Sequence, residues 1–274
     1  MATVEQRVVH VDGVRTFYRS ISGDGPPVLF VHGNPGHSED WMPFLERLER
    51  PAVALDLPGW GASERPRPGR FDYSMHGLGR FVERFCDQLG ITEHALCVHD
   101  WGVVGLIAAH RHPERVRRLV VINAVPLLPG YRWHWVARWF WRVPVLGELA
   151  NATTTRASLR LISRQASAGR GAMPSEFIDS AWRHWPRGRW PAMLELYRSA
   201  DPELLAAAGE RLGDLACPAL VVWGLDDPYL PRRFGAAFAD RLPAATLIEL
   251  EGAGHWPWLD RPDAVGRITA FLNG

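Results

Sequence analysis

Six short apolar runs, most of them followed by a helix-like stretch, constrain this chain more than any other feature. They lie at 28–31 (VLFV), 52–55 (AVAL), 95–98 (ALCV), 118–122, 219–223 and 246–250. A strand that is apolar at successive positions, with no polar alternation, is buried on both faces, and strands of that kind separated by helices predict a parallel sheet with right-handed crossovers. Ahead of them, residues 6–12 and 14–19 alternate apolar and polar around Asp12 and Gly13, which predicts an antiparallel hairpin at a sheet edge. The expected fold class is therefore α/β, with eight strands.

The alternation breaks between Val125 and about Asp214, where helical spacing dominates, as in Met193, Leu194, Leu196 and Tyr197 and again in Leu204 and Leu205. This predicts a core of residues 1–125 and 215–274, interrupted by a helical cap over 126–214 that enters after the sixth strand and lies over the strand ends. Two surface helices are expected at 232–241 and 261–272. Seven of the chain's thirteen tryptophans (Trp133, Trp135, Trp139, Trp141, Trp182, Trp185 and Trp190) fall in the cap, which points to flat apolar walls around a substrate.

Composition narrows the partners. Thirty-one Lys plus Arg against thirty Asp plus Glu leave a formal charge of +1, so no global field attracts nucleic acid or a membrane, and small-molecule chemistry is expected. Cys86, Cys97 and Cys217 show no metal-type spacing and read as reduced, buried thiols. No window offers the roughly 18 uncharged apolar residues of a membrane span, and the expected compartment is the cytoplasm. No motif implies a metal, nucleotide or redox cofactor, and nothing in the sequence specifies an oligomeric state.

The chemistry-bearing segments follow strand ends. Strand 95–98 runs into His99, Asp100, Trp101, Gly102 and then an apolar helix, the strand–turn–helix geometry of a nucleophile elbow, although Asp is also a favoured helix N-cap. Residues 30–35 (FVHGNP) form a loop whose backbone N–H groups can face a developing oxyanion, the role assigned to Asn34 and Trp101. After strand 219–223, Asp226 and Asp227 both sit where an acid could accept an imidazole N–H. After the last strand, Gly252 and Gly254 allow close approach of a loop that carries His255, a candidate general base. His99 is expected to point away and pack in the core. Residues 56–63 (DLPGWGAS) imitate a phosphate loop but lack its lysine, and read as a turn.

With nucleophile, acid and histidine in that order, the chain resembles the α/β-hydrolase superfamily over essentially its whole length. It is most similar to the branch of haloalkane dehalogenases and epoxide hydrolases, in which an aspartate is the nucleophile. The resemblance implies an α/β-hydrolase fold: a mostly parallel eight-stranded sheet flanked by helices, with a helical cap. It also implies that Asp100 forms an alkyl ester that His255-activated water cleaves, and the Gly224, Asp227, Pro231 spacing selects Asp227 over Asp226 as the triad acid.

Within that branch Asn34 and Trp101, in the stretch HGNPGHSEDW at 32–41, match the halide donors of dehalogenases, as does Val98 two residues before the nucleophile. Tyr197, thirty residues before the triad acid, resembles one of the two cap tyrosines that protonate an epoxide oxygen. Tyr131 lies early in the cap and reads as a packing residue. The expected function is dehalogenation of an apolar substrate with water, with epoxide hydrolysis as the alternative; a binding protein that retains the fold without turnover is a third reading. An ordinary esterase is disfavoured, because acyl attack by a carboxylate would give an anhydride.

Overall fold

A computed structural model describes residues 3–186 and 190–274. Its strands are β1 (Glu5–Val11), β2 (Val14–Ile21), β3 (Val28–Val31), β4 (Ala52–Leu55), β5 (His94–Asp100), β6 (Val116–Ala124), β7 (Ala219–Gly224) and β8 (Ala245–Leu250). They form one sheet in the order β1-β2-β4-β3-β5-β6-β7-β8. The first two strands make an antiparallel hairpin whose turn residues, Asp12 and Gly13, both have positive φ, the requirement of a two-residue turn that matches strand twist. β2 meets β4 antiparallel, and every later pairing is parallel.

The apolar runs bury both faces through the period of two along each strand. Leu29 and Val31, Leu96 and Val98, and Leu119 and Val121 face one core, with the helices Met75–Gln88, Val104–Ala109 and Arg233–Arg241. Val28 and Phe30, Ala95 and Cys97, and Val120 and Ile122 face the other, with Trp41, Phe44, Trp258 and the helix Asp263–Asn273. Each fully buried Leu, Val or Phe stabilises the fold by roughly 1.5–3 kcal/mol, so the two cores fix the sheet firmly.

Two strands outrun their apolar runs. β5 begins at His94 and continues through Asp100, and β6 continues through Ala124, because these two strands go on pairing with each other past the ends of β3 and β7, with a register shift that leaves Asn123 out of the ladder. That extension carries the polar side chains of interest to one edge of the sheet.

Between β6 and β7 lie the helices Leu146–Thr153, Arg156–Ser163, Ser175–His184, Pro191–Arg198 and Pro202–Ala208 and a single wide turn, Ala137–Trp141; no strand occurs in this stretch among the described residues. One expectation needs correcting: Cys86 and Cys97 are buried, but Cys217 is only half-buried, since it sits on the connection leading into β7 rather than inside a strand.

Candidate active site

Asp100 stands at the turn from β5 into Trp101–Val103 with φ 48° and ψ −118°, outside the regions that L-residues ordinarily adopt. Such a backbone costs about 1–3 kcal/mol and persists only where the surroundings enforce it. Here Gly33 and Gly102 permit it: a Cβ on Gly33 would collide with the Asp100 carboxylate, and one on Gly102 with the Val31 carbonyl. The result is a carboxylate raised above the sheet, 5% exposed, at the floor of a cavity of about 460 Å³.

Asp100 Oδ2 accepts from the backbone N–H of Asn34 at 2.7 Å, and the backbone N–H of Trp101 also bonds this carboxylate. Burial pushes the Asp100 carboxyl up, against His255 and the two N–H donors, which favour its ionised form. Oδ1 is turned the other way, 3.6 Å from His255 Nε2.

His255 Nδ1 lies 2.7 Å from Asp227 Oδ2. Burial opposes a charge on this imidazole, but the attraction and hydrogen bond of Asp227 and the charge of Asp100 outweigh it, so its pKa is raised. Asp227 is itself fixed: Oδ1 accepts from the N–H groups of Tyr229 (2.8 Å) and Leu230 (3.1 Å), and Oδ2 from the Asn123 amide (2.7 Å). The structure thus brings Asp100, His255 and Asp227 together in one chain of contacts. Asp226 instead turns away from the imidazole, and its N–H donates to the Ala253 carbonyl.

Asn34 lines the cavity, and Trp101 packs against its aromatic wall. Trp60 Nε1 donates to Asn34 Oδ1 at 3.0 Å, which fixes the amide orientation and leaves Asn34 Nδ2 as the end that meets the Tyr197 hydroxyl. The Trp101 indole is 1% exposed, stacked on Trp133 (5.5 Å between ring centres) and edge-on to Tyr197 (5.1 Å), and its N–H has no close partner among the described residues. Burial drives the Tyr197 hydroxyl well above its ordinary pKa, as does Asp100, while Trp101 and Asn34 act on it in the opposite sense. Tyr131 packs in the aromatic wall of the cavity; its buried hydroxyl has no close partner among the described residues, and the charges of Asp100 and Asp227 add to the effect of burial in raising its pKa.

Four residues that sequence reasoning did not assign to the site support it. Asn123, at the end of β6 with φ 32°, bridges Gly224 and Asp227. Its signal was an amide at a strand end, in a conformation that Asn tolerates better than most residues. Trp60 comes from the 56–63 turn. His32 donates from Nδ1 to the Gly33 carbonyl and accepts at Nε2 from the Leu57 N–H, joining the Asn34 loop to that turn. His99, packed as expected, donates from Nε2 to the His255 carbonyl at 2.7 Å.

Of the seven cap tryptophans, Trp133, Trp135, Trp141 and Trp185 line the cavity. Trp190 instead donates to the Gly59 carbonyl and packs on Trp60, and Trp139 is exposed. Outside the cavity His37, Glu39 and His184 approach one another within 4.8 Å. Both His37 ring nitrogens are already engaged, by the Glu39 N–H and Ser180 Oγ, and Glu39 is paired with Arg183, so this set is not free to ligate a metal.

Residues 26–262 match the family described as alpha/beta hydrolase fold. The chain belongs to that family. It is 30% identical to a cis-3-alkyl-4-alkyloxetan-2-one decarboxylase of Xanthomonas campestris pv. campestris, over 91% of this chain and 89% of the relative. Haloalkane dehalogenase 2 of Mycobacterium tuberculosis is 28% identical over 91% and 87% of the two chains. Epoxide hydrolase 1 of Caenorhabditis elegans is 26% identical over 98% of this chain and 70% of the relative. A crystal structure of DBJA superposes with a TM-score of 0.84 at 26% identity, covering 98% and 97%. This α/β hydrolase is thus an enzyme of the group that contains haloalkane dehalogenases and epoxide hydrolases.

Proposed function

We propose that Asp100 Oδ1 of this hydrolase attacks a saturated carbon of an apolar haloalkane and expels the halide anion as the carbon–halogen bond breaks, as a haloalkane dehalogenase does. Oδ2, held by the Asn34 N–H, becomes the carbonyl oxygen of the alkyl ester, and the Trp101 N–H favours negative charge on the same group. Water then attacks the ester carbonyl, with its proton passing to His255 Nε2. Asp227 steadies the imidazolium, the backbone donors hold the oxyanion, and collapse of the tetrahedral intermediate releases the alcohol and restores the carboxylate.

The observation that carries the halide reading is the donor pair beside the nucleophile. A buried indole N–H without a partner and an amide NH₂ whose oxygen end is already taken form a site for a departing anion. The relative named haloalkane dehalogenase 2 and the apolar cavity wall support the same reading.

A second reading has its own observation. The Tyr131 and Tyr197 hydroxyls both line the cavity, and an O–H can protonate a departing oxygen, which a halide does not require. This favours opening of a strained C–O ring, in keeping with the relatives named for epoxide and oxetan-2-one substrates.

The deciding experiment incubates the protein with a mixed panel of haloalkanes and epoxides and follows halide and diol release in parallel. Halide release that disappears in Asp100→Ala supports the first reading. Diol release alone, lost in Tyr197→Phe, transfers the assignment to C–O cleavage.

A further inference from the structure

Of the ten large apolar side chains exposed among the described residues, eight fall between 135 and 162: Trp135, Trp139, Phe140, Val145, Leu146, Leu149, Leu161 and Ile162. Monomeric proteins rarely expose so concentrated an apolar surface without using it. Six of the eight belong to the turn Ala137–Trp141 and the two helices Leu146–Thr153 and Arg156–Ser163, of which the first packs on that turn, while Trp135 and Val145 lie just before the turn and the first helix. The set reaches the cavity, because Trp135, Phe140 and Ile162 line it while remaining exposed.

Charge on the same stretch is one-sided. Residues 131–170 contain seven arginines and a single acid, Glu148. Glu148 is taken by Arg198, and Arg142 and Arg156 are paired with Asp201 and Asp179. Arg138, Arg160 and Arg164 are exposed with no carboxylate partner among the described residues. Arg156, Arg160 and Arg164 follow one another at helical spacing of four, a stripe along one helix, and the Arg138 guanidinium lies 5.0 Å from the centre of the Trp139 ring.

We propose that this rim docks on an anionic lipid bilayer, with Trp139, Leu149 and Leu161 entering the interfacial region and Arg138, Arg160 and Arg164 meeting the lipid phosphates. Exposed Trp and Leu beside unpaired arginines is the composition that binds at a headgroup boundary, where apolar burial and attraction to anionic lipid add. The alternative occupant, a second copy of this chain, would bring two arginine-rich rims face to face, so like charges would oppose the contact. No helix of the described residues is long and apolar enough to cross a membrane, so the contact is peripheral. The docked orientation turns the cavity mouth toward the bilayer, the phase in which apolar compounds accumulate. The inference does not depend on which bond the enzyme cleaves.

The test is co-sedimentation of the full chain with vesicles of equal parts phosphatidylcholine and phosphatidylglycerol, and with vesicles of phosphatidylcholine alone. The protein should pellet with the anionic vesicles far more than with the neutral ones, and less as salt is raised. Arg160→Glu with Arg164→Glu should weaken binding by at least about tenfold, and Trp139→Ser with Leu161→Ser by at least about tenfold even at low salt. These exposed positions leave the catalytic cluster untouched, and circular dichroism checks that each variant is folded. No pelleting of the wild type, equal pelleting with both vesicles, or folded variants that bind like the wild type would each overturn the proposal. So would sedimentation velocity revealing a dimer that the Trp139 and Leu161 substitutions dissolve, which assigns the rim to a second copy.

Discussion

The Trp60 indole N–H donates to Asn34 Oδ1 at 3.0 Å, and this bond decides which end of the Asn34 amide can face the leaving group. An indole nitrogen only donates, so the amide oxygen must turn to Trp60 and the NH₂ to the cavity. Trp60→Phe should therefore keep the wall in place but free the amide to flip. We expect a roughly tenfold loss in the alkylation rate. Asn34→Ala, which removes the donor itself, should cost about 10²–10³. Single-turnover kinetics with a haloalkane measures both, and equal losses for epoxide opening would remove Asn34 from halide stabilisation.

In the proposed mechanism His255 enters only when water attacks the ester. Replacing it with Gln should leave alkylation in place and trap the substrate's added mass on Asp100, visible by mass spectrometry of the intact chain. In the wild type, hydrolysis needs the neutral imidazole. In the free enzyme Asp227 and Asp100 raise its pKa above 6.5, so an NMR titration of the His255 ring should show protonation above that value; esterification removes the Asp100 charge, so the acid limb of kcat should lie below the titration midpoint. A free-enzyme titration below 6.5 would contradict the ion pairing seen around the ring.

Asn123 holds Asp227 without touching the cavity. Asn123→Gly keeps the backbone freedom that φ 32° requires and deletes the amide, leaving an Asp227 oxygen and the Gly224 N–H short of partners. The expected loss in kcat is about 10- to 100-fold, with little change in KM and a displaced acid limb. A merely structural role would leave the pH profile where it is.

Burial pushes the pKa of His37 down to about 3 and those of His94 and His110 to about 4. Below pH 6.5 the unfolded chain binds protons at these sites and the folded chain does not, so stability should fall as pH drops from 6.5 toward 4. Each such histidine contributes about 1.4 kcal/mol per pH unit. His32, His99 and His134 are lowered as well; Asp40, whose carboxyl burial raises to about 8, works in the opposite sense together with Asp100 and Glu195, but the lowered histidines outnumber these carboxyls. Urea denaturation at pH 7 and pH 5 reads the difference, and equal midpoints would count against it.

Much of this was legible in the sequence because parallel strands buried on both faces leave an apolar record, and because polar residues at their ends stand out from it. Asp100, Asp227 and His255 each follow such an apolar run, and their order and flanking motifs grouped them, with the family's Gly224, Asp227, Pro231 spacing needed to choose Asp227 over Asp226. Trp60, His32 and Asn123 were not legible as partners, since each acts through a contact between segments distant in sequence. The cap resisted for a related reason: its tryptophans look alike in sequence, and only packing separates Trp133, in the cavity wall, from Trp190, wedged behind it on Trp60. Tyr131 packs among aromatic neighbours, and nothing in the sequence signals that its buried hydroxyl has no close partner among the described residues.

The loop carrying His255 is tied to the insert above it by main-chain and carboxylate bonds. His255 N–H donates to the Ala166 carbonyl at 2.7 Å, and Asp260 accepts from Gly254, Ala168 and the Ser167 hydroxyl. The helical stretch between β6 and β7 is therefore not an interchangeable module. A chimaera that grafts in a relative's insert would inherit a new pocket and also lose the acceptor that seats the imidazole, unless the grafted segment restores a carbonyl at the position of Ala166. Recombination in this architecture should succeed where both sides of that seam travel together.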